Sequence, residues 1–212
     1  MTKQQRVRRG QAGRPPSETA ASHAAIMDAV YQLLKEQPAR KLTMEAVAAR
    51  AGVGKPTLYK WWPSKAALIM AMFHERFGAA PEPARALPAE EVLRAAIRQL
   101  IKGFNGQFGK VMADLIAEGQ GNPTVLRELY DSHISRRRAA AVAEIERGRV
   151  AGEFAADVNA GLLIDSIVAP IYLRLLLGQL PIPQELGTEL IDQALRAARP
   201  ARSQSGPQAA HS

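Results

Sequence analysis

Cysteine is absent from this 212-residue chain. That removes disulfides, thiol nucleophiles and thiolate metal sites together, and it suits a reducing compartment, so a cytoplasmic location is expected. A long uninterrupted apolar run is missing too. The longest candidate, residues 162–180, is broken by Asp165, Pro170, Arg174 and Gln179, which predicts a buried helix rather than a membrane span, and no membrane partner. The basic N-terminus lacks the apolar core of a signal peptide. No segment alternates as a strand, and no internal repeat is present. His23, His74, His133 and His211 share no ligand spacing, so neither a metal nor any other cofactor is expected. Residues 49–55 miss a phosphate-binding loop: Ala49 stands where the first glycine belongs, Pro56 where the metal-binding hydroxyl belongs, and the stretch lies between helices rather than after a strand. There is no Gly-x-Ser-x-Gly elbow and no dinucleotide fingerprint. Glu90 and Glu91 open a helix, where carboxylates favour the positive end of the dipole, and carry no catalytic role. With no catalytic constellation in sight, the expectation is a protein that is not an enzyme.

What is present begins with 47% hydrophobic residues and a formal net charge of +8. The first allows a substantial core. The charge is segregated: residues 1–80 hold 13 lysines and arginines against 5 acids, whereas residues 81–212 hold 15 of each. A basic module joined to a neutral one is the footprint of a polyanion binder. A merely solubilising excess would not explain the segregation.

The basic part is organised around residues 43–68, TMEAVAARAGVGKPTLYKWWPSKAAL. Thr43 is a helix cap, and Met44, Val47, Ala48 and Ala51 recur on one helical face. Gly52 ends that helix, and a second opens at Gly54 or Lys55 with Pro56 in its first turn, where the missing N–H leaves no bond unmade. Ala48, Gly52 and Leu58 fall where a helix-turn-helix requires a small residue for close crossing, a glycine in the turn and an apolar anchor. The outer face of the second helix then carries Lys55, Thr57, Tyr59, Lys60 and Trp61, with no acid among them, and can enter a major groove. A further helix precedes this unit over residues 19–37, on Ile26, Val30, Leu33 and Leu34. Another follows the Ser64 cap, with Lys65 in its first turn, where a cation is locally unfavourable and a phosphate contact would supply a reason. Upstream, residues 1–17 contain Lys3, Arg6, Arg8, Arg9 and Arg14 without an acid. They read as a disordered basic arm, and Gly13-Arg14-Pro15 resembles a minor-groove hook. A solvated tail fits the same residues.

The order Thr43, Ala48, Gly52, Val53, Thr57-Leu58-Tyr59, an aromatic pair, Ser64-Lys65 and Ala67-Leu68 resembles the DNA-binding domain of TetR/AcrR-type transcriptional regulators. It fixes residue types across three consecutive helices and covers about the first third of the chain. One departure is Trp61-Trp62, where members of that family commonly carry His-Phe or Tyr-Phe before the proline. The resemblance implies double-stranded DNA as partner, with Arg14, Thr43, Lys55, Pro56, Thr57, Tyr59, Lys60, Trp61 and Lys65 at the interface. It also implies a homodimer, a repressor's sign and a small-molecule effector bound in the C-terminal half.

Beyond a proline-rich hinge at residues 78–88, every segment has helical periodicity: residues 92–104, residues 108–116, one long helix from the Asn122 cap to about Arg149, an apolar helix over about 157–177, and a last helix over about 184–198. The expected fold is all-α, divided into a basic arm (1–17), a helix-turn-helix domain (18–78), a larger helical ligand-binding and dimerisation domain (79–199) and a polar tail (200–212). Phe104, Phe108, Met112, Tyr130, Ile134 and Tyr172 are either core or the wall of a ligand cavity, with Asn105, His133 or Arg174 as polar handles. Leu173, Leu176 and Leu177, with Leu190, Ile191, Ala194 and Leu195 on the final helix, are candidates for a four-helix dimer interface. The resulting expectation is a dimeric repressor released from a palindromic operator by a small molecule. The alternatives are a ligand-independent architectural DNA binder and, weakened by the missing catalytic residues, an enzyme with an incidental basic end.

Overall fold

The computed structural model describes residues 16–77 and 87–200 of the chain, and the described residues are helical throughout, with no strand. The basic arm with Arg14, most of the hinge and the polar tail lie outside the described residues. Helix α1 (Pro16–Glu36) starts within the stretch expected to be arm. It buries Ile26, Val30, Leu33 and Leu34, as their spacing requires. A single 3₁₀ turn (Ala39–Lys41) leads into α2 (Met44–Ala51). Thr43 caps α2 by accepting a hydrogen bond from the Ala46 N–H at 3.1 Å. Gly52 then takes φ 66°, a left-handed conformation in which a side chain would be strained, and its N–H closes the helix. Helix α3 (Lys55–Trp61) follows, anchored by Leu58 at 0% exposure. Trp62 goes into the core, and Ser64 caps α4 (Lys65–Phe77) by accepting from the Ala67 N–H.

In the second half, α5 (Ala89–Phe104) is the central strut, touching α6 (Gln107–Gly121), α8 (Ser135–Val150), α9 (Ala160–Leu177) and α10 (Gln184–Ala197). Leu93, Ile97, Leu100, Ile101 and Phe104 form its buried stripe. Helix α10 approaches it closely because position 187 is glycine: a Cβ there would sit 2.6 Å from the Ile101 Cδ1.

The helix expected from Asn122 to about Arg149 runs without a gap from Pro123 to Val150, but its register changes in the middle. Helix α7 (Pro123–Leu129), capped by the Asn122 side chain, passes into a π-helical segment (Tyr130–Ile134) before α8 begins. Helical periodicity cannot register this change, because one wide turn shifts the faces without interrupting the run. It turns His133 inward, to 2% exposure. Helix α9, expected to be buried, buries only Ala160, Leu163, Ile164, Ile167 and Ile171, one face of the helix. Its opposite face leaves Leu162, Leu173, Leu176 and Leu177 between 46% and 67% exposed.

The two halves meet along α6. Asp114 accepts from the Ala39 N–H at 2.9 Å and pairs with the Arg40 guanidinium at 2.7 Å. One turn on, both oxygens of Glu118 hold the Lys65 ammonium, at 2.7 and 2.8 Å. Nearby, Phe73 of α4 stands edge-on to Phe108 of α6 at 5.1 Å.

Candidate DNA-binding face and effector cavity

The outer face of α3 is open. Lys55, Pro56, Tyr59 and Lys60 are exposed, and Thr57 is half-buried. Their backbone is fixed from behind by Leu58 and by the short turn at Gly52, so a rigid row of donors stands clear of the core. No acid lies on α3, but Glu45 of α2 reaches Lys55, with 2.8 Å between the Nζ and Oε1 atoms. Both side chains are more than half exposed. A pair of this kind contributes little and exchanges readily for a phosphate. Trp61 is half-buried against His23 at 5.5 Å and edge-on to Trp62, so it serves packing as well as surface. Thr43 is exposed, with its hydroxyl engaged in the cap of α2. Lys65 departs from expectation. Its side chain is 16% exposed and held by Glu118, so in this conformation it is no free phosphate contact but a link between the halves.

A cavity of about 460 Å³ opens where α1, α4, α5, α6, the π-helical segment and α8 converge. Phe73, Leu100 and Phe108 supply apolar wall, and His74, His133, Lys102, Gln107 and Arg137 supply polarity. Among the described residues no aspartate or glutamate lines it. A second, smaller cavity of about 150 Å³ shares Leu100 and Arg137 with the first and is walled by Ile134 and Tyr172 among others.

His74 Nε2 and His133 Nδ1 lie 3.2 Å apart. Burial is the first cause that lowers both their pKa values, followed by the positive charge of Arg137; His133 falls to about 3. Both imidazoles are therefore neutral at physiological pH. Burial also raises the Tyr172 phenol to about 12.

Of the expected pocket residues, Phe108 lines the large cavity, and Ile134 and Tyr172 line the small one. Phe104 does not face either cavity. At 4% exposure it sits between their aromatic residues, 6.0 Å from the Phe108 ring and 4.9 Å from that of Tyr172. Met112, at 0% exposure, is core, and Tyr130, at 47%, is on the surface. Among the suggested handles only His133 reaches a cavity. Asn105 and Arg174 instead donate to the backbone carbonyls of Ile182 and Pro181, holding the turn before α10.

Arg137 was hidden in a run of three arginines. Successive helical residues point about 100° apart, and the fold separates the three accordingly. Arg136 is exposed, Arg138 makes two hydrogen bonds to Asp165 at 2.7 and 2.8 Å, and Arg137 turns to the cavities.

The expected dimer residues also divide. Leu173, Leu176 and Leu177 are exposed, and Leu190 and Ala194 are half-buried. Ile191 and Leu195, at 2% exposure each, belong to this chain's own core, because α10 turns that stripe onto α5 and α9, and they are removed from the interface.

Comparison with known proteins agrees with this architecture from both ends. Residues 26–72 match the family model described as bacterial regulatory proteins, tetR family. Residues 88–194 match the model of a tetracyclin repressor-like C-terminal domain. The chain is 33% identical over 166 residues to YdeS of Bacillus subtilis (strain 168), an uncharacterized HTH-type transcriptional regulator; the match covers 78% of this chain and 82% of that protein. The solved structure of the TetR family transcription regulator SCO0332 superposes with a TM-score of 0.68 at 29% identity, over 84% of this chain and 99% of that one. FadR from Bacillus subtilis, solved in complex with stearoyl-CoA, shares the fold with a TM-score of 0.61 at 16% identity, over 82% and 97% of the two chains. The chain therefore belongs to the TetR family of helix-turn-helix transcriptional regulators.

Proposed function

We propose that this regulator is a homodimeric, cytoplasmic repressor that holds a palindromic operator through α3 and leaves it when a small molecule fills the 460 Å³ cavity. One observation carries the reading. Helix α6 contributes Gln107 and Phe108 to the cavity wall and, seven and eleven residues after Gln107, the carboxylates Asp114 and Glu118 that grip the DNA-binding half. A ligand that displaces the start of α6 must move those grips or break them. Because the two recognition helices of a dimer have to match the spacing of two half-sites, a small rotation of each DNA-binding half is sufficient to lose the operator.

Dimerisation is assigned to the exposed leucines of α9, Leu173, Leu176 and Leu177, with Leu190 and Ala194 of α10 beside them; Leu176 alone is 46% exposed in the single chain. Leu176→Arg should give a folded monomer that binds operator at least about 100-fold more weakly, since half the reading surface is lost.

The test is a footprint and gel shift on the DNA flanking the protein's own gene, at several salt concentrations, with light scattering on wild type and Leu176→Arg. Protection of a dyad-symmetric site by a dimer supports the proposal. Salt-sensitive binding to any DNA would return the architectural reading, and a dimeric Leu176→Arg would remove α9 from the interface.

A further inference from the structure

The charge that lines the effector cavity identifies the chemistry of what fills it. Arg137 makes no hydrogen bond or ion pair with any described residue, and burial lowers its pKa from the ordinary guanidinium value. Its neighbours are treated differently: Arg138 has Asp165, Arg147 has the buried Glu144, and Arg94 has Glu90 and Asp192. A guanidinium does not deprotonate in a protein, so a withdrawn and unpaired one is a standing cost that an anion would offset.

The histidine pair adds to this. Two neutral imidazoles carry two N–H groups between them, and their mutual contact at 3.2 Å uses one. Whichever tautomers are present, one N–H on a histidine of the cavity wall is left unused by that contact. With no carboxylate among the described residues on the wall of the large cavity, a cationic ligand would meet Arg137 and Lys102 without a counter-charge from them. A single withdrawn cation calls for a single negative charge, and the planar fork of guanidinium donors matches a carboxylate. The remaining wall is Phe73, Phe108 and Leu100, and the adjoining 150 Å³ cavity, which shares Arg137, is mostly apolar. The volume of 460 Å³ lies within the range of small-molecule sites, about 300–1,000 Å³.

We propose that the effector is an amphiphilic organic carboxylate, its carboxylate paired with Arg137 and the free histidine N–H, and its apolar body against Phe73 and Phe108. This rests on the reading that the effector occupies this cavity.

Calorimetry would test it with 2-naphthoate and decanoate, each against its neutral amide, and with decylamine as the cation. At least one carboxylate should bind once per chain and at least about tenfold more tightly than its amide, a loss of one charge-assisted pair. In Arg137→Met the acid and amide should become equal within about threefold, while Arg137→Lys should keep the preference for the acid. Ligand-free Arg137→Met should unfold at the same temperature as wild type or higher, because the removed charge had no partner. The proposal falls if neither carboxylate binds, if amide or amine binds as tightly, if the preference survives in Arg137→Met, or if that variant unfolds several degrees lower. A gel shift separates this from the repressor reading: a carboxylate that binds through Arg137 without releasing operator sinks release and keeps the site, whereas release by an amide or amine keeps release and sinks the carboxylate.

Discussion

Helix α3 and the start of α8 carry cations at similar density, and the fold treats them oppositely. On α3, Lys55 and Lys60 stand in solvent, and the single acid that reaches them does so through an exposed pair. On α8, three consecutive arginines are sent to three environments: one to water, one to Asp165, and one between two cavities without a partner among the described residues. Charge in water costs little to keep and exchanges partners easily, which suits a face that meets and leaves DNA. Charge withdrawn under packed helices is expensive, so its position there marks a site.

The buried side of this contrast should show itself most strongly in acid. His133 has a folded-state pKa of about 3, depressed by burial and by Arg137 and His74. The unfolded chain, with an ordinary histidine near 6.5, binds the proton first. The stability associated with neutral His133 is therefore complete above about pH 6.5 and is lost as pH falls towards 3, by up to about 1.4 kcal/mol per pH unit. Arg137 and His74 act on this ring and Lys102 shares its cavity wall, and none of them supplies a negative charge to reverse the sign. Chemical denaturation from pH 7.5 to 4.5 should show a steeper acid loss in wild type than in His133→Asn, and parallel slopes would return His133 to the exposed class.

On the solvated side, Lys60→Ala should leave thermal unfolding unchanged and weaken operator binding by about 1–3 kcal/mol with relaxed preference at one base position. A gel shift on a set of single-base operator variants measures this. A uniform loss over all of them would make Lys60 a phosphate contact instead.

Lys65 belongs to neither class, since it is a basic residue of the DNA-binding half that is partly buried on an acid of the other half. Glu118→Gln should lower stability by about 1 kcal/mol, by weakening a charge-assisted bond. The same change should strengthen operator binding a few-fold by releasing the ammonium, and it should blunt the response to effector. Unchanged operator affinity would make the pair structural only. The smallest effect belongs to the exposed pair on the DNA-binding face: Glu45→Gln should leave the unfolding midpoint unmoved, and a clear drop would show that α2 and α3 depend on it.

Much of the DNA-binding half was legible in the chain because its signals are local. The Thr43 and Ser64 caps act across three residues, Gly52 ends its own helix, and Leu58 and Ala48 are placed by one turn of periodicity. The family follows from the same short-range pattern. In the effector half, the stripe on α5 was equally readable, because helical periodicity says which residues share a face.

What periodicity does not say is which helix will lie across that face. Ile191 and Leu195 formed a sound apolar stripe, and only the packing of α10 onto α5 made it core instead of interface. The histidine pair joins residues 59 apart and the Lys65 link residues 53 apart, separations at which nothing in the sequence marks a partner. The run at 136–138 announced three positive charges, and its sequence held no information on which would be withdrawn from water. Hydrogen bonding and side-chain spacing within a helix are decided by residues a few positions away, so the sequence alone determined the helices, their caps and the DNA-reading unit. Desolvation depends on what other elements bring to the same place, so the cavity, its neutral histidines and its unpaired arginine were decided by the tertiary structure.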